Sequence, residues 1–161
     1  MLELSEKNKP YNTIDNAGVI LNNDPLFAGH IRDNLFRERI ELDGNMPWSR
    51  SYIDVTDKDD IHIRHYIEKT YHYRNDKAVR DAMQIVATEN EYHPVREWLT
   101  SLKWDGTERV RYALPHFLGT SGSEYEHECL KLFMLGAISR VFKPGCKFEY
   151  MLCLVGGQGI L

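Results

Sequence analysis

The stretch FEYMLCLVGGQGIL, residues 148–161, constrains the fold of this chain more than any other. Met151, Leu152, Cys153, Leu154 and Val155 form an unbroken apolar run. It is too short for a buried helix and has the length of a strand covered on both faces. Such a strand belongs inside a sheet, yet no strand pattern between Val55 and this run offers it a neighbour. The expectation is that the rest of its sheet lies beyond residue 161.

Gly156, Gly157, Gln158 and Gly159 follow the run at once. A strand that feeds a glycine-rich turn is how a phosphate loop begins, because closely spaced backbone N–H groups can cradle phosphate oxygens. The full pattern is G-x-x-x-x-G-K-[ST]. Gly156 takes the place of its first glycine and Leu161 stands where the second belongs, with no lysine or hydroxyl residue after it. Two readings stay open on these residues alone: a phosphate loop cut short at Leu161, and an ordinary glycine-rich turn. On the first, Gly156, Gly157, Gln158 and Gly159 are the nucleotide-binding candidates.

With 161 residues the chain has room for one ordinary domain or two small lobes. Hydrophobic residues at 42% and charged residues at 27% are a soluble, globular composition. The net charge of −4 gives no overall basic footprint for nucleic acid. Cys129, Cys146 and Cys153 show no metal or redox spacing, and Cys129 and Cys153 read as small core residues. The N-terminal MLELSEKNKPYN has no apolar core of a signal peptide, and no run is long enough to span a bilayer. A cytoplasmic location is expected.

Helix signals dominate the chain. Thr13 caps a first helix with Ile14, Ala17, Ile20 and Leu21 on one face, and Asn22-Asn23-Asp24-Pro25 ends it. Alternation from Phe36 to Leu42 predicts a strand, Asp43-Gly44 a turn, and Tyr52–Val55 a return strand. Thr56 or Asp57 opens the next helix, where Asp59 and Asp60 suit the positive end of the dipole. Ile63, Tyr66 and Ile67 face inward, and the helix ends near Tyr73. Asn75 caps another helix with Val79, Ala82, Met83 and Val86 inward. Pro94 opens a short helix, and Trp104–Thr107 turns the chain into a further one capped by Thr107. Pro115 is expected to kink or restart that helix, which ends at Gly119. Ser123 and Glu126 form a capping box for the last helix, halted by Lys143-Pro144-Gly145.

Several side-chain groups invite chemistry. His62 and His65 share a helix face, with His72 further on, but a zinc site needs more ligands and no cysteine is near. His127-Glu128-Cys129 lacks metalloprotease spacing. No metal site and no catalytic nucleophile is expected. Arg37 and Arg39, near Arg32 and flanking the strand with Phe36, could hold phosphates and stack a base. Arg96, Lys103, Arg109 and Arg111 form a second basic set. The plainer reading is that these arginines pair with neighbouring carboxylates.

The segments His93–Val110 and Ala137–Gly159 carry a family pattern: Pro94-Val95-Arg96-Glu97, then Leu102, Trp104-Asp105-Gly106, then Arg140-Val141, Pro144-Gly145, Lys147-Phe148 and finally Gly156, Gln158 and Gly159. In this the chain resembles the virulence-associated protein E family of phage and genomic-island P-loop proteins. The resemblance is specific from about Tyr92 onward. It implies the N-terminal portion of a replication ATPase of primase or helicase type, with ATP and magnesium as cofactors of full-length members and none for this chain alone. It implies the rest of the ATPase core, self-association or DNA as partners, and no membrane. The leucine at 161 and the missing lysine and serine depart from the pattern. The alternative is a stand-alone helical module that binds a partner protein. The expected fold is mainly α with a small β-hairpin (α+β), ending in the first strand of a P-loop sheet. The expected divisions are 1–91, a helical and hairpin region; 92–147, a helical linker; and 148–161, the strand and incomplete loop.

Overall fold

The computed structural model describes residues 2–6 and 9–157. Among them the elements run α1 (Ile14–Asn23), β1 (Ile31–Asn34), β2 (Arg39–Leu42), α2 (Asp57–Tyr71), α3 (Asp76–Glu89), α4 (Pro94–Ser101), α5 (Arg109–Leu118) and α6 (Glu124–Phe142). The chain is mainly helical with one small antiparallel sheet, an α+β arrangement. It divides into two compact units, Met1–Pro94 and Val95–Leu161.

The first unit owns the core. Ala17, Ile20 and Leu21 of α1 meet Val79, Ala82, Met83 and Val86 of α3, with Phe27, Ile31, Leu42, Ile63 and Ile67 completing the cluster. The helices start where the sequence says they should. Thr13 accepts the Asn16 N–H, Asn75 accepts the Ala78 N–H, and Thr56 and Asp59 form a reciprocal capping box. Asn16 is buried inside α1, where an unpaired amide would be costly. Its side chain accepts from the Glu3 N–H (2.8 Å) and donates to the carbonyls of Glu3 (2.8 Å) and Tyr11 (3.0 Å), tying the N-terminal segment to the helix.

The hairpin differs from the expectation. Residues 35–38 are the turn, with Glu38 left-handed at φ 53°, so β2 begins only at Arg39. Its partner is Ile31–Asn34, paired from Ile31 with Leu42 to Asn34 with Arg39. The Ile-Arg-Asp-Asn strand is polar at its centre and gives no strand signal. The expected return strand survives as one antiparallel bridge between Glu41 and Asp54, while Tyr92 bridges the other edge at Asn34. No tight turn at Asp43-Gly44 leads straight to that return strand: the chain loops through 43–51 first.

Asp59 fastens that loop. Its carboxylate accepts from Trp48 Nε1 (2.8 Å), Arg50 Nε (2.7 Å), and the Thr56 N–H (2.9 Å) and hydroxyl (2.7 Å). Arg50 donates in turn to the carbonyls of Leu42 and Ile53. One buried carboxylate thus joins the start of α2, the loop and β2.

The second unit is built on α5 and α6, which pack together, and on α4, where Arg96 Nε donates to the Val141 carbonyl (2.7 Å). Ser123 and Glu126 form the expected capping box. α5 departs in two ways. Glu108 rather than Thr107 is its N-cap, without a side-chain cap bond, while the Thr107 N–H donates to Asp105 Oδ1 (3.0 Å). Pro115 lies inside the helix without ending it, at the loss of one backbone hydrogen bond.

The run 148–157 is neither helix nor strand. The expected buried strand is therefore absent among the described residues, and Met151 and Val155 are 82% and 98% exposed. The reason is that the one sheet is two-stranded and lies in the first unit, so no ladder exists here for these backbone groups to join. Cys153, expected in a core, is exposed, and Cys129 is half-buried.

Candidate functional site

The hairpin turn carries the expected basic and aromatic set, but in unequal condition. Asn34 shapes the turn: its Oδ1 accepts the N–H groups of Phe36 and Arg37, both at 3.1 Å. Its Nδ2 donates to Glu41 Oε1 (2.9 Å) and to the Tyr92 hydroxyl (3.2 Å). Glu41, buried, also accepts from that hydroxyl and from Arg37 Nη1 (3.2 Å). Burial, with the hydrogen bond to the Glu41 carboxylate and its charge, pushes the Tyr92 phenol up. Arg37 reaches a second acid, Asp54 Oδ2, at 2.8 Å. Arg37 is thus committed to two carboxylates. Phe36, 61% exposed beside the His93 ring, and Arg39, also exposed, point to solvent. The second basic set is largely committed as well. Arg109 grips Asp105 at 2.9 and 2.5 Å, and Arg111 grips Glu124 at 2.8 and 3.2 Å. Those bonds from Arg109 hold the Asp105 carboxyl far below its ordinary range.

Of the helix α2 histidines, His62 is held by packing. The His62 ring stacks on Trp48, centroids 5.1 Å apart. At the start of α6 the potential ligand atoms of Glu124, His127 and Glu128 lie within 4.8 Å of one another. Both carboxylates are already neutralised, Glu124 by Arg111 and Glu128 by Lys131 (2.9 Å). A cation would have to displace both.

The second unit presents an apolar groove of about 1000 Å³, whose walls include Leu118, Phe133, Tyr150, Leu152, Val155 and Gly157. It is lined by α5, α6 and the segment that runs into the glycines. Gly136 of α6 is buried under the ring of Phe148, and Arg140 Nη2 donates to the Phe148 carbonyl (3.0 Å). Gly156 and Gly157 are exposed, with open space around Gly156. Gln158 and Gly159, the other two candidate phosphate contacts, lie outside the described residues. The Trp104-Asp105-Gly106 turn, the capped helix α6 and this segment all fall in one part of the chain.

Residues 99–161 match the Virulence-associated protein E-like domain. This part of the chain is similar to that domain, in keeping with the motif residues from Leu102 to Gly159. The match takes in α5, α6 and the approach to the glycines and leaves the first unit outside it. No curated protein matches the chain. Among the described residues no helix is long and apolar enough to cross a membrane.

Gly136 was not singled out from the sequence, although a signal was there. A glycine in the interior of a 19-residue helix costs about 1 kcal/mol relative to alanine, so it asks for a packing reason.

Proposed function

We propose that the chain is the N-terminal portion of a phage- or island-encoded P-loop replication ATPase, with its second unit serving as the dock for the ATPase core. The observation that carries this reading is the apolar segment 148–155. It leads straight into Gly156-Gly157 inside the stretch that matches the virulence-associated protein E-like domain, yet it lies largely exposed and unpaired among the described residues. Exposed strand-forming sequence needs a sheet, and the exposed apolar face of the second unit needs a cover. An ATPase core supplies both. Phosphoryl transfer depends on a phosphate-loop lysine and a magnesium-holding hydroxyl, and the 161 residues place neither after the glycines.

The deciding experiment reads the gene immediately past codon 161. Codons for lysine and then serine or threonine are expected, and a stop codon there would overturn the proposal. That result would favour the second reading, a helical module that offers the same apolar face to a partner protein. A second expectation concerns the chain as it stands. With magnesium and ATP it should release phosphate no faster than a protein-free blank, and turnover above the blank would contradict the role assigned to the missing lysine.

A further inference from the structure

We infer that Gly136 and Arg140 form a latch for Phe148 that sets where the glycine loop begins, making all three positioning residues for nucleotide binding. The inference rests on the reading of residues 156–159 as a phosphate loop. Its geometry is local to the second unit. A Cβ built on Gly136 would stand 2.3 Å from Phe148 Cε2 and 2.5 Å from Cδ2 and Cζ, closer than any real Cβ contact. Only glycine leaves the notch that the ring fills. Arg140, one turn further along α6, closes over the same residue: it binds the Phe148 carbonyl at 3.0 Å, and its guanidinium carbon lies 5.7 Å from the ring centroid. Tyr150 then packs edge-on against Phe148 at 5.8 Å. Side chain, carbonyl and following aromatic are all held, and Gly156 comes eight residues after the anchor.

The latch makes a prediction opposite in sign to helix propensity. Glycine is a poor helix former, so Gly136→Ala in a helix without a notch should tighten α6. Here the added methyl must evict the Phe148 ring. Chymotrypsin cleavage after Tyr150 should therefore speed up by about tenfold in the whole chain, as the segment spends more time free of α6. In a Phe148→Ala background the same Gly136→Ala change should have little effect, because there is no ring to evict. Arg140→Gln, which leaves the helix intact, should also speed cleavage. Unchanged or slower cleavage in Gly136→Ala would overturn the latch.

The positioning role is read in the protein translated from the complete gene. Gly136→Ala should raise KM for ATP severalfold with kcat nearly unchanged, since the phosphate cradle is displaced before chemistry begins. Faster cleavage with an unaltered KM would overturn the positioning role. Absence of ATP binding by the unmutated complete protein would instead overturn the phosphate-loop reading, and the cleavage result would stand apart from it.

Discussion

Asp59→Ala is expected to destabilise the first unit by about 3–5 kcal/mol, the usual effect of removing one partner from a buried ion pair. Asp59 is 2% exposed, and the Arg50 side chain that it holds is 12% exposed. The substitution strands the Arg50 guanidinium and the Trp48 indole N–H and removes half of the α2 capping box. Hydrogen exchange at the slowest amides of α3 is the measurement, and at about 1.4 kcal/mol per tenfold they should speed up by roughly two to three and a half orders of magnitude. Asp59→Asn keeps an acceptor for the Thr56 N–H and should lose less. A loss under about 1 kcal/mol for the alanine variant would mean that Arg50 and Trp48 find other partners.

The same carboxylate fixes an acid limit. Burial works to raise the Asp59 pKa, but the hydrogen bonds from Trp48, Thr56 and Arg50 outweigh it and bring the group from 3.8 down to about 2. A depressed folded-state pKa contributes stability that is complete above the unfolded value and is lost as pH falls through the folded one. The contribution of Asp59 should therefore hold above pH 4 and fade toward pH 2. Asp60, pulled down despite burial by hydrogen bonds from Arg80 and Arg64, fades in the same direction. In Asp59→Asn this acid sensitivity should be visibly weaker.

How far the sequence could be read depended on whether a feature was local. Thr13, Thr56, Asn75 and Ser123 each lie next to the N–H groups they cap, so those helix starts were readable from neighbours alone. β1 was not readable, because Arg32 and Asp33 interrupt any alternation and the strand exists through its pairing with β2. Asp59 read as a dipole complement, since its partners Trp48 and Arg50 arrive from a loop without periodicity. The plainer expectation for Arg37, pairing with neighbouring carboxylates, matches its bonds to Glu41 and Asp54. The hydrogen bond to buried Glu41 from Tyr92, 51 residues on, was beyond the reach of local pattern. The apolar run 151–155 gave the opposite error. Hydrophobicity signals what a segment needs, not whether the need is met within the same stretch of chain, and here Val155 is almost fully exposed.

That unmet need sets the last expected result, a wide gap in protection between the two units. In the second unit only Leu130 and Gly136 are buried among the described residues, whereas α1, α2, α3 and the hairpin share a continuous core. Burial of apolar surface is the main term that offsets the entropy of ordering a chain. Helices α5 and α6 should therefore open by local unfolding at a small fraction of the free energy that α3 requires. In the isolated chain their amides should exchange about a hundredfold or more faster than those of Val79–Val86. Capping cannot close the gap, since a good capping box contributes only about 1 kcal/mol. In the protein translated from the complete gene, a docked core would bind the folded form alone and raise the protection of α6 by mass action. If α6 is already as protected as α3 in the isolated chain, the second unit is self-sufficient and its exposed apolar face needs no cover. If protection rises only when residues beyond 161 are present, the dock and the core are parts of one cooperative structure.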